Sequence, residues 1–588
     1  MSSSSRMADG SWDWSFGVDS GKVTTIASNL MPNGLKRNQL AWLTNATVRG
    51  GGITQRTGWK PLTTVTTGAA LYQGGILYEN SLQAGNPYLL LSISGILYQV
   101  RVDTDNSVHD VSTLPGLNDP PDAPQAFFVQ GEEFAVKQAG DGVTLPLFWD
   151  GNALRRSAGL PGGELPAATC MDYFMGRIWY AQGRQYTAGD IVLGPSGTAP
   201  YSLRDAILKV TENPLALAGD GFIVPTQDGI IRALHHSANM DTSLGEGQLF
   251  TFTRKAIYSL TVPVKRADWI LSTEPLQKVV QNKNGSYGDR GIVNANGDLF
   301  YQSSDGIRSL FVSQRSFSEW SNLPISSNIN RLLNFNNREF MRFSSGIYWD
   351  NRLYQTALPE MTDVGVAFKG IAVLDFDLIS SLQEKSPPAW EGMLNGEDIL
   401  QLFSGDFGGR DRAFAVVRSR VDGSIQVWEL DASTRHDNTD SRVEWFFETP
   451  AWTFGKEFEL KRLDGLEIWL DRIYGTVELT VEYRPDGATC WNFWNRTKFC
   501  SARTTCENVV ENICYPQEGY AVQGEGDKFS LNFPTPPAPD CQTLNNRPTN
   551  LGFQFQLRVT IKGWCRVRGV MVFAIPVQKA PFDRMECS

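Results

Sequence analysis

The sequence predicts an all-β protein: a β-propeller-like ring of antiparallel sheets followed by a C-terminal β-sandwich, with few short helices. Glycine and proline supply 55 and 30 of the 588 residues and aromatic residues 11%, a mixture that suits short strands and tight turns rather than long helices. Asp-Gly pairs begin at Asp141, Asp150, Asp220, Asp228, Asp305, Asp422, Asp464 and Asp486, and Asn-Gly pairs at Asn284, Asn296 and Asn395. Such pairs supply the positive φ angles that two-residue hairpin loops demand. A single hydrophobic core stops growing at about 250–300 residues, so a chain of this length divides or builds a ring of units. A closed ring also removes exposed sheet edges.

Residues 1–64 read as an extended N-terminal segment. Asn38–Trp59 (NQLAWLTNATVRGGGITQRTGW) runs from an extended apolar stretch into three consecutive glycines, then to Arg56 and Gly58. The glycines fit a bulge or tight turn. They match neither G-x-x-x-x-G-K-[ST] nor a strand-preceded G-x-G-x-x-G, so no nucleotide cofactor is expected.

Residues 65–454 read as the propeller-like domain. Turns followed by aromatic-rich strands recur at 294–304 (NANGDLFYQSS), 305–311 (DGIRSLF) and 421–430 (VDGSIQVWEL). The apolar run 88–100 (YLLLSISGILYQV) reads as two buried strands around Ser94-Gly95. It falls short of the roughly 18–20 apolar residues of a membrane helix, and no membrane insertion is expected. Trp149-Asp150 and Trp349-Asp350 lack the 40–45-residue beat of WD40 blades. Short helices are expected from a capping box at 202–205 through Val210, and over 330–343, where Leu332, Leu333, Phe335 and Phe340 share an apolar face.

Residues 455–588 read as the sandwich. Val477, Leu479, Val481 and Tyr483 alternate with polar residues, as do Phe553, Phe555, Leu557, Val559 and Ile561, so each strand has one buried and one solvated face. Between them, about 500–540 is a polar, cysteine-bearing arm ending in PTPPAPD. Seven of the eight cysteines lie at or after position 490. Cys490, Cys500, Cys506, Cys514, Cys541 and Cys565 are the candidates for one to three disulfides, with the pairing open and buried free thiols as the competing reading. No C-x-x-C spacing occurs and no histidine follows His436, so no metal site is expected.

The charge balance, 53 basic against 63 acidic residues and a net charge of −10, argues against a protein that grips nucleic acid by its phosphates. A duct past which nucleic acid slides is compatible with it. The N-terminal MSSSSRMADG has no apolar core of a signal peptide, which predicts assembly in a cytoplasm. Catalytic motifs are missing too. No H-E-x-x-H or G-x-S-x-G is present, and the adjacent His235-His236 reads as a polar strand end or interface feature. Asp375 and Asp377 would face one side of a strand in the manner of glycosidase carboxylates, but a solvated edge or turn cap is the simpler reading. The segment 303–310 (SSDGIRSL) only brushes the sialidase box. No catalytic residue is expected.

Taken together, Asn45–Gly58 (NATVRGGGITQRTG), 175–179 (MGRIW), 247–260 (GQLFTFTRKAIYSL), 296–310 (NGDLFYQSSDGIRSL), 350–353 (DNRL), 408–430 and 483–487 (YRPDG) give a likeness to a known family. The chain resembles the propeller-type structural proteins of the tail nozzle or hub of short-tailed bacteriophages. The motif turn is carried by Gly50, Gly51, Gly52, Arg56 and Gly58, with Thr57 where the family usually has proline. The resemblance implies a virion structural protein, not an enzyme, without cofactors, assembled in the host cytoplasm and displayed on the tail. It implies a homohexameric ring that joins the portal, adaptor and tail fibre proteins and forms the channel for genome ejection, DNA passing without specific binding. The alternatives are a receptor- or glycan-binding tail propeller with possible glycosidase activity, or a minor tail component of a long-tailed phage.

Overall fold

The computed structural model describes residues 6–577 apart from 80–84, 104, 193–203, 213–220, 238–246, 270, 274, 314–323, 333–337, 379–387, 432–435, 438–440, 501–528 and 538–547. The protein is all-β, with five successive small antiparallel sheets arranged as the blades of a propeller. Blades one (residues 72–110), two (127–156), three (171–223) and four (231–282) have four strands each, and blade five (293–309) has three.

The leading strands of the blades form the hub. Tyr72–Tyr78 lies against Phe127–Gly131, which lies against Met171–Phe174, and that against Ile231–His236. On the other side, Val293–Ala295 lies against Gly346–Trp349, and that against Ala389–Asp406, which returns to Tyr72–Tyr78. The ring is therefore closed through strands of a larger, 17-stranded sheet.

Stacking holds because each interface between blades is an apolar core. Tyr78 and Leu90 meet Leu147 and Trp149, Val136 and Phe148 meet Ile178 and Tyr180, and Trp179 and Tyr186 meet Leu249 and Tyr258. Phe252 meets Leu299 and Tyr301, and Leu89 and Leu91 meet Phe403 and Val416. Each fully buried side chain of this size stabilises the stack by about 1.5–3 kcal/mol.

The local turn chemistry works where it was expected to set hairpins. Asn296 and Gly297 both take positive φ, 51° and 78°, between Val293–Ala295 and Asp298–Ser303. Ser94 and Gly95, at 47° and 83°, separate the buried strands Tyr88–Ile93 and Ile96–Val100. Two of the pairs are corrections. Asp464-Gly465 and Asn395-Gly396 lie inside the strands Lys461–Pro485 and Ala389–Asp406. Gly465 sits at a register shift of its strand, so its glycine marks a bulge rather than a turn. The expected helices are short 3-10 turns, Arg204–Leu208, Ile325–Leu332 and Arg338–Phe343, with 202–203 and 333–337 outside the described residues.

In the C-terminal region the two alternating strands pair with each other: Leu479 faces Ile561, Val481 faces Val559 and Tyr483 faces Leu557, all fully buried. These strands do not form a hydrogen-bonded sheet of their own. Glu444–Glu448, ahead of position 455, pairs with Arg558–Lys562, and Met7–Ser11 pairs with Val570–Ala574. The N-terminal segment is likewise no free extension. Its strands Trp42–Thr44, Ala46–Thr47 and Ile53–Gln55 join the same sheet. Gly58–Thr66 crosses position 64 and pairs antiparallel with Ile425–Asp431, covering the edge that would otherwise end the ring.

Cys490 is exposed and Cys565 buried, and both are free cysteines, as is buried Cys170. Neither of these two disulfide candidates is bonded, and burial pushes the Cys565 thiol up, making it inert. The side chain of Cys500 and all of Cys506, Cys514 and Cys541 lie outside the described residues, as does most of the arm. Among the described residues no helix is long and apolar enough to cross a membrane.

Candidate functional site

The motif turn of Asn45–Gly58 forms the joint between the ring and the C-terminal strands. Gly50 and Gly51 take φ of 87° and 76°, a left-handed pair that L side chains adopt only with strain. The turn sends Ile53 and Thr54 back against Val567 and Arg566. An added Cβ on Gly52 would stand 2.9 Å from the Val567 carbonyl oxygen, so this third glycine permits the contact.

Arg56, 4% exposed, is the centre of the joint. Its guanidinium donates to both oxygens of Asp437 at 2.9 and 2.8 Å, to Asn45 Oδ1 at 3.0 Å, and to the carbonyls of Thr57 and Asn395 at 2.8 and 2.9 Å. All five N–H directions of the fork are used, the arrangement for which arginine and not lysine is suited. Asp437 also accepts the Trp59 N–H at 2.9 Å, which fixes the start of the closing strand Gly58–Thr66. Asn45 donates to the Glu444 carbonyl at 2.9 Å and accepts the Asn395 N–H at 2.8 Å. One arginine thus connects the motif segment, the strand Ala389–Asp406 and the short hairpin that carries Asp437.

A second ionic cluster lies on the other side of the glycine turn. Arg49 donates from Nε and Nη2 to Asp375 at 2.9 and 2.7 Å, and its Nη2 lies 3.0 Å from Asp377. Arg352 Nε lies 3.2 Å from Asp375 and donates to Glu391 at 3.0 Å. Glu391 also accepts the Val48 N–H at 3.1 Å and the Thr47 hydroxyl. Burial pushes the Glu391 carboxyl up, and Arg352 offsets this only in part. Burial works against the Arg352 guanidinium too, but Glu391 and its neighbours outweigh it and hold its pKa above the ordinary range. Asp375 is fully buried with both oxygens bound by arginine, so its carboxylate holds the two guanidinium groups in place rather than lying on a solvated edge.

His235 and His236 end the leading strand of blade four, and the fold brings Asp172 of blade three to them, a partner 64 residues away that no sequence spacing indicates. A third feature is a cavity of about 350 Å³ beside the hub, lined by Leu71, Tyr72, Arg290, Arg342, Phe343 and Leu400 among others.

No protein-family model matches the chain, and no curated protein matches it. Solved structures do resemble it. A crystal structure of BBS1N in complex with ARL6DN is 11% identical at a TM-score of 0.36, with 64% of this chain and 99% of that chain covered. YCF48 bound to D1 peptide is 8% identical at a TM-score of 0.31, with 64% and 95% covered.

Proposed function

We propose that the chain is a structural subunit of a bacteriophage tail, a nozzle or hub component and not an enzyme, assembled in the host cytoplasm and displayed on the virion. The observation that carries this reading is the place of the segment with the family likeness. Asn45–Gly58 joins the ring to the C-terminal strands: Arg49 and Arg56 anchor it to Asp375 and Asp437, and Ile53 and Thr54 pair with Val567 and Arg566, a mechanical role. A part that bears load between portal, adaptor and tail fibres needs such a joint.

Roughly six copies would close by a head-to-tail interface around a common axis. The genome channel would then run between copies and not through each propeller. The leading strands of the five blades carry Asp172 and Arg232 as their acid and base beside His235 and His236 and so add nothing to the net charge of −10, while the strand Ala389–Asp406, which closes the hub, adds four acids. An acidic outer wall would repel DNA and let it slide.

Negative-stain imaging with mass measurement of the full untagged chain tests the proposal. A ring of about six subunits around an open channel is the expected result. A trimeric spike or a monomer that retains glycans on an array and cleaves them would overturn it.

A further inference from the structure

We infer that Asp172, His235 and His236 form a binding site for a divalent transition-metal cation of the zinc type, bridging blades three and four at the hub. One ligand atom from each of the three side chains lies within 4.8 Å of the other two. His236 Nδ1 stands 2.9 Å from Asp172 Oδ2. Tetrahedral zinc with ligands at about 2.0–2.1 Å holds them about 3.3 Å apart, so a cation replaces the proton between His236 and Asp172 by opening that pair a few tenths of an ångström and drawing in the His235 ligand, up to 4.8 Å away, by as much as about 1.5 Å. His236 then binds through Nδ1 as the neutral ring: the proton moves to Nε2, or, from the imidazolium, the Nδ1 proton leaves to solvent while Nε2 keeps its own.

The tautomer of His235 favours the same role. Its Nδ1 lies 2.9 Å from the His236 carbonyl oxygen, which can only accept, so Nδ1 carries the hydrogen and the lone pair is on Nε2. A ring N–H held by a backbone carbonyl is the usual support of a metal-binding imidazole. His236 is further fixed by stacking on Phe174, with ring centroids 5.9 Å apart. The site is half-buried on all three residues, which leaves room for water to complete the coordination. Two imidazoles and one carboxylate suit zinc, nickel or copper(II) better than calcium or magnesium, which prefer oxygen ligands. Because Asp172 and the histidines stand on adjacent leading strands, the cation would add a tie between the two blades beside the backbone hydrogen bond from Ile231 N–H to the Gly183 carbonyl.

The test uses the full chain without a histidine tag, stripped with a chelator and titrated with zinc chloride alone by calorimetry. One equivalent per chain is expected, with a rise in melting temperature that excess chelator reverses. His235→Ala, His236→Ala and Asp172→Asn should each weaken binding at least about 10-fold while melting like the stripped parent in chelator. No uptake by the parent, or an isotherm unchanged in the H235A/H236A double variant, would overturn the site. Cobalt(II) on the unaltered chain gives an arm that needs no variant. Intense bands of four- or five-coordinate cobalt support the site, and the weak spectrum of the hydrated ion refutes it.

Discussion

Arg56→Ala should be the most damaging single change at the joint. It removes five hydrogen bonds, two of them the parallel pair to Asp437, and leaves Asn45 Oδ1 and the Asn395 carbonyl without that donor. Breaking a buried ion pair by deleting one partner costs about 3–5 kcal/mol. The Asp437 side chain keeps 23% of its exposure and its bond from the Trp59 N–H, so the lower end, about 3 kcal/mol, applies. Unfolding entropy near 2.1 cal/mol/K per residue gives about 1 kcal/mol/K if roughly 500 residues melt as one unit, and about 0.4 if a unit of some 200 melts alone. The loss in melting temperature is then about 3 °C in the first case and about 7 °C in the second. Arg56→Lys keeps the charge and not the fork, and should lose about 2 kcal/mol. Calorimetry with limited proteolysis near Gly58 reads both. A shift below 1 °C for R56A, R56K indistinguishable from the parent, or strictly additive R56A and D437A effects would refute the role given to this arginine.

Acid should weaken the C-terminal sheet through Glu448. Burial alone would raise its carboxyl, but Arg331 and Arg558, donating at 2.8 and 2.7 Å, outweigh it and hold the pKa below the ordinary 4.5. A depressed folded pKa gives stability that is present above pH 4.5 and lost as pH falls through the folded value, so Glu448→Gln should flatten the decline of melting temperature below pH 4.5. Gly392→Ala should cost more than about 3 kcal/mol, because its φ is +81° and the new Cβ would lie 2.2 Å from the Leu43 carbonyl oxygen. Gly51→Ala, at φ +76° with open space around it, should cost only about 1–2 kcal/mol by the same denaturation assay. A thiol reagent should label Cys490 in the native chain and reach Cys170 and Cys565 only in denaturant, since burial pushes both of these thiols up; equal native labelling would contradict their burial.

What the sequence made legible was local. The Asn296-Gly297 turn and the Ser94-Gly95 turn need only two residues with positive φ, and the alternation at 477–483 and 555–561 marks the buried face of each strand, whereas Phe553 stands half-buried ahead of its strand and Gln556, on the side read as solvated, is buried. Alternation says which face is buried and not which strand lies alongside, so the pairing of Tyr483 with Leu557 had no local signal. The same limit hid the joint. The glycine triplet and its flanking arginines marked a turn, but Arg56 finds Asp437 across 381 residues, and Arg49 finds Asp375 across 326. Asp375 was visible as half of an acidic pair. Its arginines were the missing information, and they change it from a possible catalytic group to a neutralised one. Asp464-Gly465 is no turn because glycine in a strand marks a bulge as readily as a reversal.

The joint also orders the events of folding. Gly58–Thr66 pairs with Ile425–Asp431, and Ile53 and Thr54 pair with Val567 and Arg566, so the N-terminal segment has no complete set of partners until nearly the whole chain exists. Blades one to four are made of neighbouring hairpins and can form as they emerge, because loop closure over a few residues costs little. Ring closure must wait for residue 431, and the joint for residue 567. Until Gly58–Thr66 pairs with it, Ile425–Asp431 presents an open edge in which Ile425, Val427 and Leu430 are apolar, the kind of edge that pairs with other chains. The Gly50–Gly52 turn, whose Gly50 carbonyl accepts from Arg566, ties the segment that leads into the closing strand to the last-made strand, so docking of the C-terminal strands completes the joint. On the proposed reading as a ring subunit, the surface offered to neighbouring copies is finished only once the C-terminal strands have docked on the joint.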